Sequence, residues 1–123
     1  MTSYRTVQDI RDRMVPLQQA LNSACLANST EEIGTYATPA RALVDEILRA
    51  LRTARLGQDA GRVDQHDQNL LQAAERALTQ AWESAEKVSL GASVNDMRAR
   101  ALDFKTLADF ADAYVSAALG TVL

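Results

Sequence analysis

Several residue types are scarce in this chain of 123 residues, and each scarcity limits its chemistry. The single cysteine, Cys25, excludes an internal disulfide and a cysteine-based metal cluster. The single histidine, His66, has no Glu three residues before it, as a di-iron helical bundle requires. Two prolines and five glycines leave little of the chain for turns. We therefore expect a protein without a metal or any other cofactor.

Positive charge is also in short supply, with 13 basic against 16 acidic side chains and a net charge of −3. Nucleic-acid binding needs a dense basic face, and the chain offers one short basic run at Arg49, Arg52 and Arg55. No stretch approaches the roughly 20 apolar residues of a membrane span. The first residues contain no apolar segment of signal-peptide length. We expect a cytoplasmic protein that contacts neither a membrane nor nucleic acid.

Apolar residues, in contrast, make up 47% of the chain and recur at helical spacing. Residues three and four apart line one face of a helix, the kind of face that packs against another helix. The clearest such stripe runs for 29 residues near the end of the chain: Val94, Met97, Ala101, Phe104, Ala108, Ala111, Val115, Ala118 and Val122. Another stripe lies near the start of the chain: Val7, Ile10, Met14, Leu17, Leu21 and Ala24.

Two prolines and several caps divide the remainder into helices. The stripe near the start of the chain continues across Pro16 without a change of register, which predicts one helix with a kink there. The segment Ser29 to Glu32 has the form of a capping box, followed by a short helical turn near 31–36. Thr38 and Pro39 then resemble a second start, so the main second helix is predicted from Pro39 to about Leu56, with Gly57 as its C-cap.

The third predicted helix follows a polar loop over residues 58–67. Its apolar stripe is predicted to be Leu70, Ala74, Ala77, Ala81, Ser84 and Val88, flanked by Leu71, Leu78 and Ala85. Ser93 and Asp96 cap the fourth helix. Short connections favour antiparallel neighbours. The sequence therefore predicts one all-α domain over residues 1–123, an up-down-up-down four-helix bundle.

Catalytic constellations are missing from the sequence. A phosphotransfer histidine on a four-helix bundle has a Lys and a small residue in the turn after it, whereas Asp67 follows His66 and Leu70 lies one turn on. Cys25 has no base or cation near it in sequence to activate the thiol. Glycine-rich phosphate loops, nucleophile elbows and zinc-protease motifs are absent. We therefore predict that the chain is not an enzyme.

Candidate partner-contact residues are an acidic set and two large rings. Asp109 and Asp112 are interpreted as lacking oppositely charged partners, and together with Asp103 they are predicted to form an acidic patch for a basic protein. Trp82 and Tyr114 are amphipathic rings of the kind that anchor interfaces. The final residues, Thr121, Val122 and Leu123, also fit a pattern that PDZ domains bind, although Val122 continues the core stripe.

These observations favour a non-catalytic protein-binding module, such as an inhibitor, immunity protein, adaptor or secretion chaperone. The general likeness is to small bacterial helical proteins that act by binding, which is a class and not a family. Two alternatives stay open. One is a self-assembling structural protein, a dimer or larger, because the long stripe of the fourth helix could serve two neighbours. The other is a histidine-phosphotransfer protein or another small enzyme.

Overall fold

The computed structural model describes residues 2–56 and 65–120, and this part of the chain forms four α-helices without a strand. Helix α1 covers Thr2–Leu26, α2 covers Thr30–Leu56, α3 covers Gln65–Val88 and α4 covers Val94–Gly120. The all-α prediction is confirmed. None of these helices, within the described ranges, is long and apolar enough to cross a membrane.

Contacts between helices establish the antiparallel order. Arg13 of α1 pairs with Glu46 of α2 at 3.6 Å, and Arg52 of α2 pairs with Glu75 of α3 at 3.0 Å. Arg41 of α2 also approaches Glu86 of α3 at 3.9 Å, so a lower residue number in α2 pairs with a higher one in α3, as antiparallel helices require. Helix α4 packs against both α3 and α1, whereas α2 and α4 touch little across the diagonal. This is the predicted up-down-up-down bundle, closed by contact between its first and last helices.

The two stripes that the sequence made most evident, on α1 and α4, lie in the core together with buried residues of α2 and α3. Every member of the first-helix stripe is buried, from Val7 to Ala24. On α4 the stripe is buried from Met97 to Ala118, with Val94 partly buried. Among the residues whose burial the structure describes, Phe104 is the largest fully buried side chain. Burial of these apolar side chains removes them from water and is the main stabilising contribution to such a fold.

Helix α2 differs from the prediction, because it begins at Thr30 and runs through Pro39 without a break. The separate turn near 31–36 and the second start at Thr38 are therefore wrong. The buried residues Ile33, Ala37 and Ala40 keep 3-4 spacing across Pro39. Their burial offsets the backbone hydrogen bond that the proline cannot make. Helix α1 is likewise continuous through Pro16, and the kink there stays a prediction.

Helix α3 is also rotated relative to the predicted stripe. Leu71, Leu78 and Ala85, predicted to flank the stripe, are buried. Leu70 and Ser84, predicted to lie within it, are only partly buried. The abundant alanines of this helix lie on either side of the line that faces the core. Their spacing in the sequence therefore does not determine how the helix is rotated about its own axis. Gly57, most of the loop over 58–67 and the last three residues, 121–123, lie outside the described residues.

The start of α2 is capped as the sequence predicts. The backbone N–H of Glu32 donates to Ser29 Oγ at 3.1 Å. In return, Glu32 Oε2 accepts from the backbone N–H of Asn28 at 3.3 Å. The carboxylate thus reaches one residue before the cap, so the arrangement is a capping box in which the N–H of Asn28 is bound in place of that of Ser29.

The start of α4 repeats this arrangement. The N–H of Asp96 donates to Ser93 Oγ at 3.1 Å, and Asp96 Oδ2 accepts from the N–H of Ala92 at 2.9 Å. The hydrogen bond from the Ala92 N–H is the largest cause of a lowered pKa for Asp96, and Arg100 lowers this pKa to a smaller extent. The predicted caps Ser93 and Asp96 are confirmed.

Two arginines near the start of α4 connect it to the ends of its neighbours. Arg98 donates to the carbonyl oxygen of Ala27 at 2.7 Å, just beyond α1. Arg100 donates to the carbonyl oxygen of Lys87 at 3.2 Å, in the last turn of α3. Carbonyls at helix ends lack partners within the helix, and a cation there also complements the helix dipole. One end of the bundle is thereby held together by α4.

Candidate functional site

The acidic side chains predicted to form a patch lie on different sides of α4. Asp103 and Asp112 are nine residues apart, about two and a half helical turns, so they point in opposite directions. Asp103 is exposed, and Asp112 is partly buried. The predicted patch of Asp103, Asp109 and Asp112 is therefore not one surface.

Asp109 also has the cationic partner that the sequence reading did not assign to it. Lys105, one turn earlier, donates to Asp109 Oδ2 at 2.7 Å. Gln18 of α1 donates to Asp109 Oδ1 at 3.4 Å. The hydrogen bond to Asp109 raises the pKa of Lys105. Asp109 thus belongs to the contact between α1 and α4 and not to a free acidic face.

Trp82 lies on the opposite side of the molecule from that contact. It is on the side of α3 that faces α2, where the Arg41 guanidinium carbon lies 4.0 Å from the ring centroid. Such a cation–π contact contributes about 0.5–1 kcal/mol at an exposed position. Arg41 also approaches Glu86 at 3.9 Å. The ring is already engaged within the chain, and it does not share a surface with Tyr114.

Tyr114 lines an open apolar groove between α3 and α4. The groove has a volume of about 350 Å³, and its walls are formed by Ala73, Arg76, Ala77, Gln80, Leu107, Phe110 and Tyr114. Phe110 is 55% exposed and Tyr114 is 37% exposed. Large apolar side chains that stay exposed together mark interaction sites more often than isolated ones do. This groove is the candidate functional site, and we call it the α3/α4 groove.

The small alanines of α3 create the groove. Because Ala73 and Ala77 carry only a methyl group, they leave a shallow floor beside the larger side chains of α4. Leu107, Phe110 and Tyr114 follow Asp103 at spacings of four, three and four residues, so they form a second stripe on α4. Helix α4 therefore carries apolar side chains on the flank that lines the groove as well as on its buried side, so its apolar surface is wider than that of an ordinary surface helix.

This second stripe is what sequence reasoning missed. The 3-4 spacing from Asp103 to Tyr114 was available in the sequence, but the stronger inner stripe of the same helix took precedence. Of the five residues predicted to contact a partner, Asp103 and Tyr114 lie on the second stripe. Asp109, Asp112 and Trp82 do not.

The rim of the groove carries one exposed cation. Arg76 is exposed, and it makes no ion pair with any residue that the structure describes. Gln80 lies one turn further along the same rim. An apolar floor with a polar rim is typical of protein interfaces.

The two residues considered for covalent chemistry lie away from the groove and from each other. Burial raises the pKa of the Cys25 thiol, and nearby Lys105 only partly opposes this effect. The thiol is therefore protonated at neutral pH and is a weak nucleophile. His66 is exposed in the first turn of α3, next to the buried Asp67. Within residues 2–56 and 65–120, no three His, Cys, Asp or Glu side chains are grouped to hold a metal ion.

The comparisons with known proteins assign no function to this chain, so a functional proposal rests on the geometry described above. No protein-family model, curated protein or solved structure matches this chain. Because one fold serves many unrelated functions, a four-helix bundle by itself assigns none.

Proposed function

We propose that this chain is a non-catalytic protein-binding module that acts through the α3/α4 groove. The observation that carries the proposal is the second stripe of α4, in which Phe110 and Tyr114 are exposed and Leu107 is partly buried, above the alanine floor of α3. Phenylalanine and tyrosine gain much from burial and lose little conformational freedom on binding. An occupant that covers them would therefore be held chiefly by apolar contact.

The chemistry available at the groove supports binding over catalysis. Its lining has one ionisable cation, Arg76, together with Gln80 and the hydroxyl of Tyr114, and no nucleophile paired with a base. Catalysis requires such groups to converge on a reacting atom. The groove is also open and shallow, whereas small-molecule sites enclose most of their ligand.

We further propose a protein partner in the cytoplasm and not a nucleic acid. Two of the three arginines in the basic run are already paired, Arg49 with Asp45 at 3.0 Å and Arg52 with Glu75 at 3.0 Å. Cys25 is a free thiol, as is usual in a reducing compartment. Both observations are compatible with this proposal, and fractionation of cells would test the compartment.

A site-specific photo-crosslinker tests the binding function. Benzoylphenylalanine placed at Phe110 in cells should give a protein adduct of defined mass on irradiation. The matched control is the same crosslinker at Val15 of α1, which is 50% exposed against 55% for Phe110. An adduct at position 110 that is absent at position 15 supports the groove. Equal adducts at both positions, or none at 110, would contradict it.

A further inference from the structure

We propose that the occupant of the α3/α4 groove is a second copy of this chain, packed so that each α3 runs antiparallel to the α3 of the other copy. This inference rests on the proposed binding function and names its partner. The proposal is carried by the charges that flank the groove. When two copies of this face pack in antiparallel orientation, each of these charges meets one of opposite sign.

The charges concerned are Arg76 and Glu83 of α3. They are seven residues apart, which is about two helical turns or roughly 10 Å, so they lie on the same line of the helix surface. Both are exposed, and neither forms an ion pair with any residue in the described ranges. The outer face of α3 thus carries Arg76 and Glu83 with Gln80 between them, and the exposed Lys87 lies one turn beyond Glu83.

Two-fold symmetry determines which residues of α3 meet across the interface between the two copies. In a two-fold dimer the same patch is used by both copies, so residue i contacts residue j and the reverse. If the axis crosses α3 near Gln80, Arg76 of each copy faces Glu83 of the other. Two ion pairs form on one helix pair, and no like charges meet along this line.

The apolar residues lie at the position that this symmetry requires. Arg100 contacts Lys87, and the groove brings Ala77 and Gln80 beside Leu107 and Phe110, so α4 runs antiparallel to α3 at this level. An axis near Gln80 therefore passes close to Leu107 and Phe110. Both copies then cover each other's exposed Phe110 at the centre, with the ion pairs beside it, as in interfaces with an apolar core and a polar rim.

The acidic end of the face fits the same arrangement. Asp103 begins the second stripe of α4 and lies two turns before Phe110, toward the end of the groove where Glu83 lies. The turned copy presents Arg76 to this end. With the copies parallel, Arg76 would instead lie level with Tyr114 and would meet no acidic residue of the second stripe.

Charge reversal and reconstitution test the arrangement. Sedimentation velocity or light scattering over a concentration series should show a dimer for the unaltered chain. Arg76→Glu and Glu83→Arg should each weaken it about ten-fold, because each reversal replaces two attractions by two repulsions. The double variant R76E/E83R should recover the dimer. A mixture of the two single variants should form a heterodimer, because both ion pairs are then restored.

Controls separate this inference from the binding function. Arg11→Glu reverses an exposed cation of α1 outside the groove and should leave the mass unchanged. Phe110→Ser should abolish the dimer, and circular dichroism checks that it still folds. A monomer at all concentrations, or a dimer that ignores both reversals, overturns the inference. If that monomer still gives an adduct of another protein at position 110, the binding function stands and only the identity of the partner is wrong.

Discussion

At the scale of single residues, two glycines have opposite structural roles. A methyl group at Gly91 would lie 2.5 Å from Met97 Cγ and 2.9 Å from the Met97 backbone nitrogen. A methyl group at Gly34 would meet nothing within 4 Å. Gly91 allows α4 to begin close against the turn after α3, whereas Gly34 is a helix-interior glycine without a packing reason.

We therefore expect Gly91→Ala to destabilise the protein and Gly34→Ala to stabilise it. The first change forces backbone movement and should cost about 1–3 kcal/mol. The second improves helix propensity and should raise the free energy of unfolding by about 0.5–1 kcal/mol. Urea denaturation of both variants checks the pair. A loss of stability from Gly34→Ala would mean that its surroundings are tighter than described.

Asp96 makes stability depend on pH. Its pKa in the folded protein lies below the ordinary value of 3.8, because its carboxylate accepts from the Ala92 N–H. The contribution of the ionised Asp96 carboxylate to the free energy of unfolding is present above about pH 4, the ordinary pKa. It is lost as the pH falls through the lower pKa of the folded state. The free energies of unfolding of the unaltered chain and of Asp96→Asn should therefore differ at pH 7 and converge at low pH. A pH-independent difference would contradict this reasoning.

At the scale of helices, α2 shows where a local signal misleads. Thr38 and Pro39 have the composition of a helix start, yet a proline also occurs within a helix when burial on either side outweighs its cost. The stripe of α1 was interpreted correctly across Pro16 by this argument. Applied to Ile33, Ala37 and Ala40, the same argument predicts the continuous α2 that the structure shows.

Pro39→Ala should stabilise the protein. It restores an N–H to the interior of α2 and removes a steric conflict with the preceding turn, effects worth about 3 kcal/mol in a helix. Loss of the proline's restriction on the unfolded chain offsets part of this gain. We expect the free energy of unfolding, measured by thermal or urea denaturation, to increase by about 1–2 kcal/mol.

Two serine and threonine variants check the helix boundary on which this prediction depends. Ser29→Ala removes the true cap and should cost about 1 kcal/mol. Thr38→Ala lies within the continuous helix and should be neutral or slightly stabilising. An equal cost at Thr38 would restore the second start predicted from the sequence.

The candidate site was less accessible to sequence reasoning than the fold. Burial leaves a periodic trace, so the stripes from Val7 to Ala24 and from Met97 to Ala118 could be identified one helix at a time. A groove needs two helices in known rotation, and the alanines around Ala77 left α3 with an uncertain register. The partners of Asp109 were invisible for a related reason, since Gln18 approaches it from another helix.

At the scale of the whole molecule, the buried residues of all four helices form one hydrophobic cluster. We therefore expect one cooperative unfolding transition, as is usual for a single domain of this size. The single tryptophan, Trp82, reports on the contact between α2 and α3, and far-ultraviolet circular dichroism reports on all helices. The two probes should give the same midpoint. Separate midpoints would show that part of the bundle unfolds on its own.

The arginines at the start of α4 bear on how the chain acquires its shape during translation. Arg98 and Arg100 leave the ribosome only after α1, α2 and α3 have been made, so their hydrogen bonds to the carbonyls of Ala27 and Lys87 cannot form before then. A nascent three-helix chain also exposes the inner sides of α1 and α3 that α4 later covers. We therefore expect the core to close, and the ends of α1 and α3 to be bound by these arginines, only once α4 has emerged.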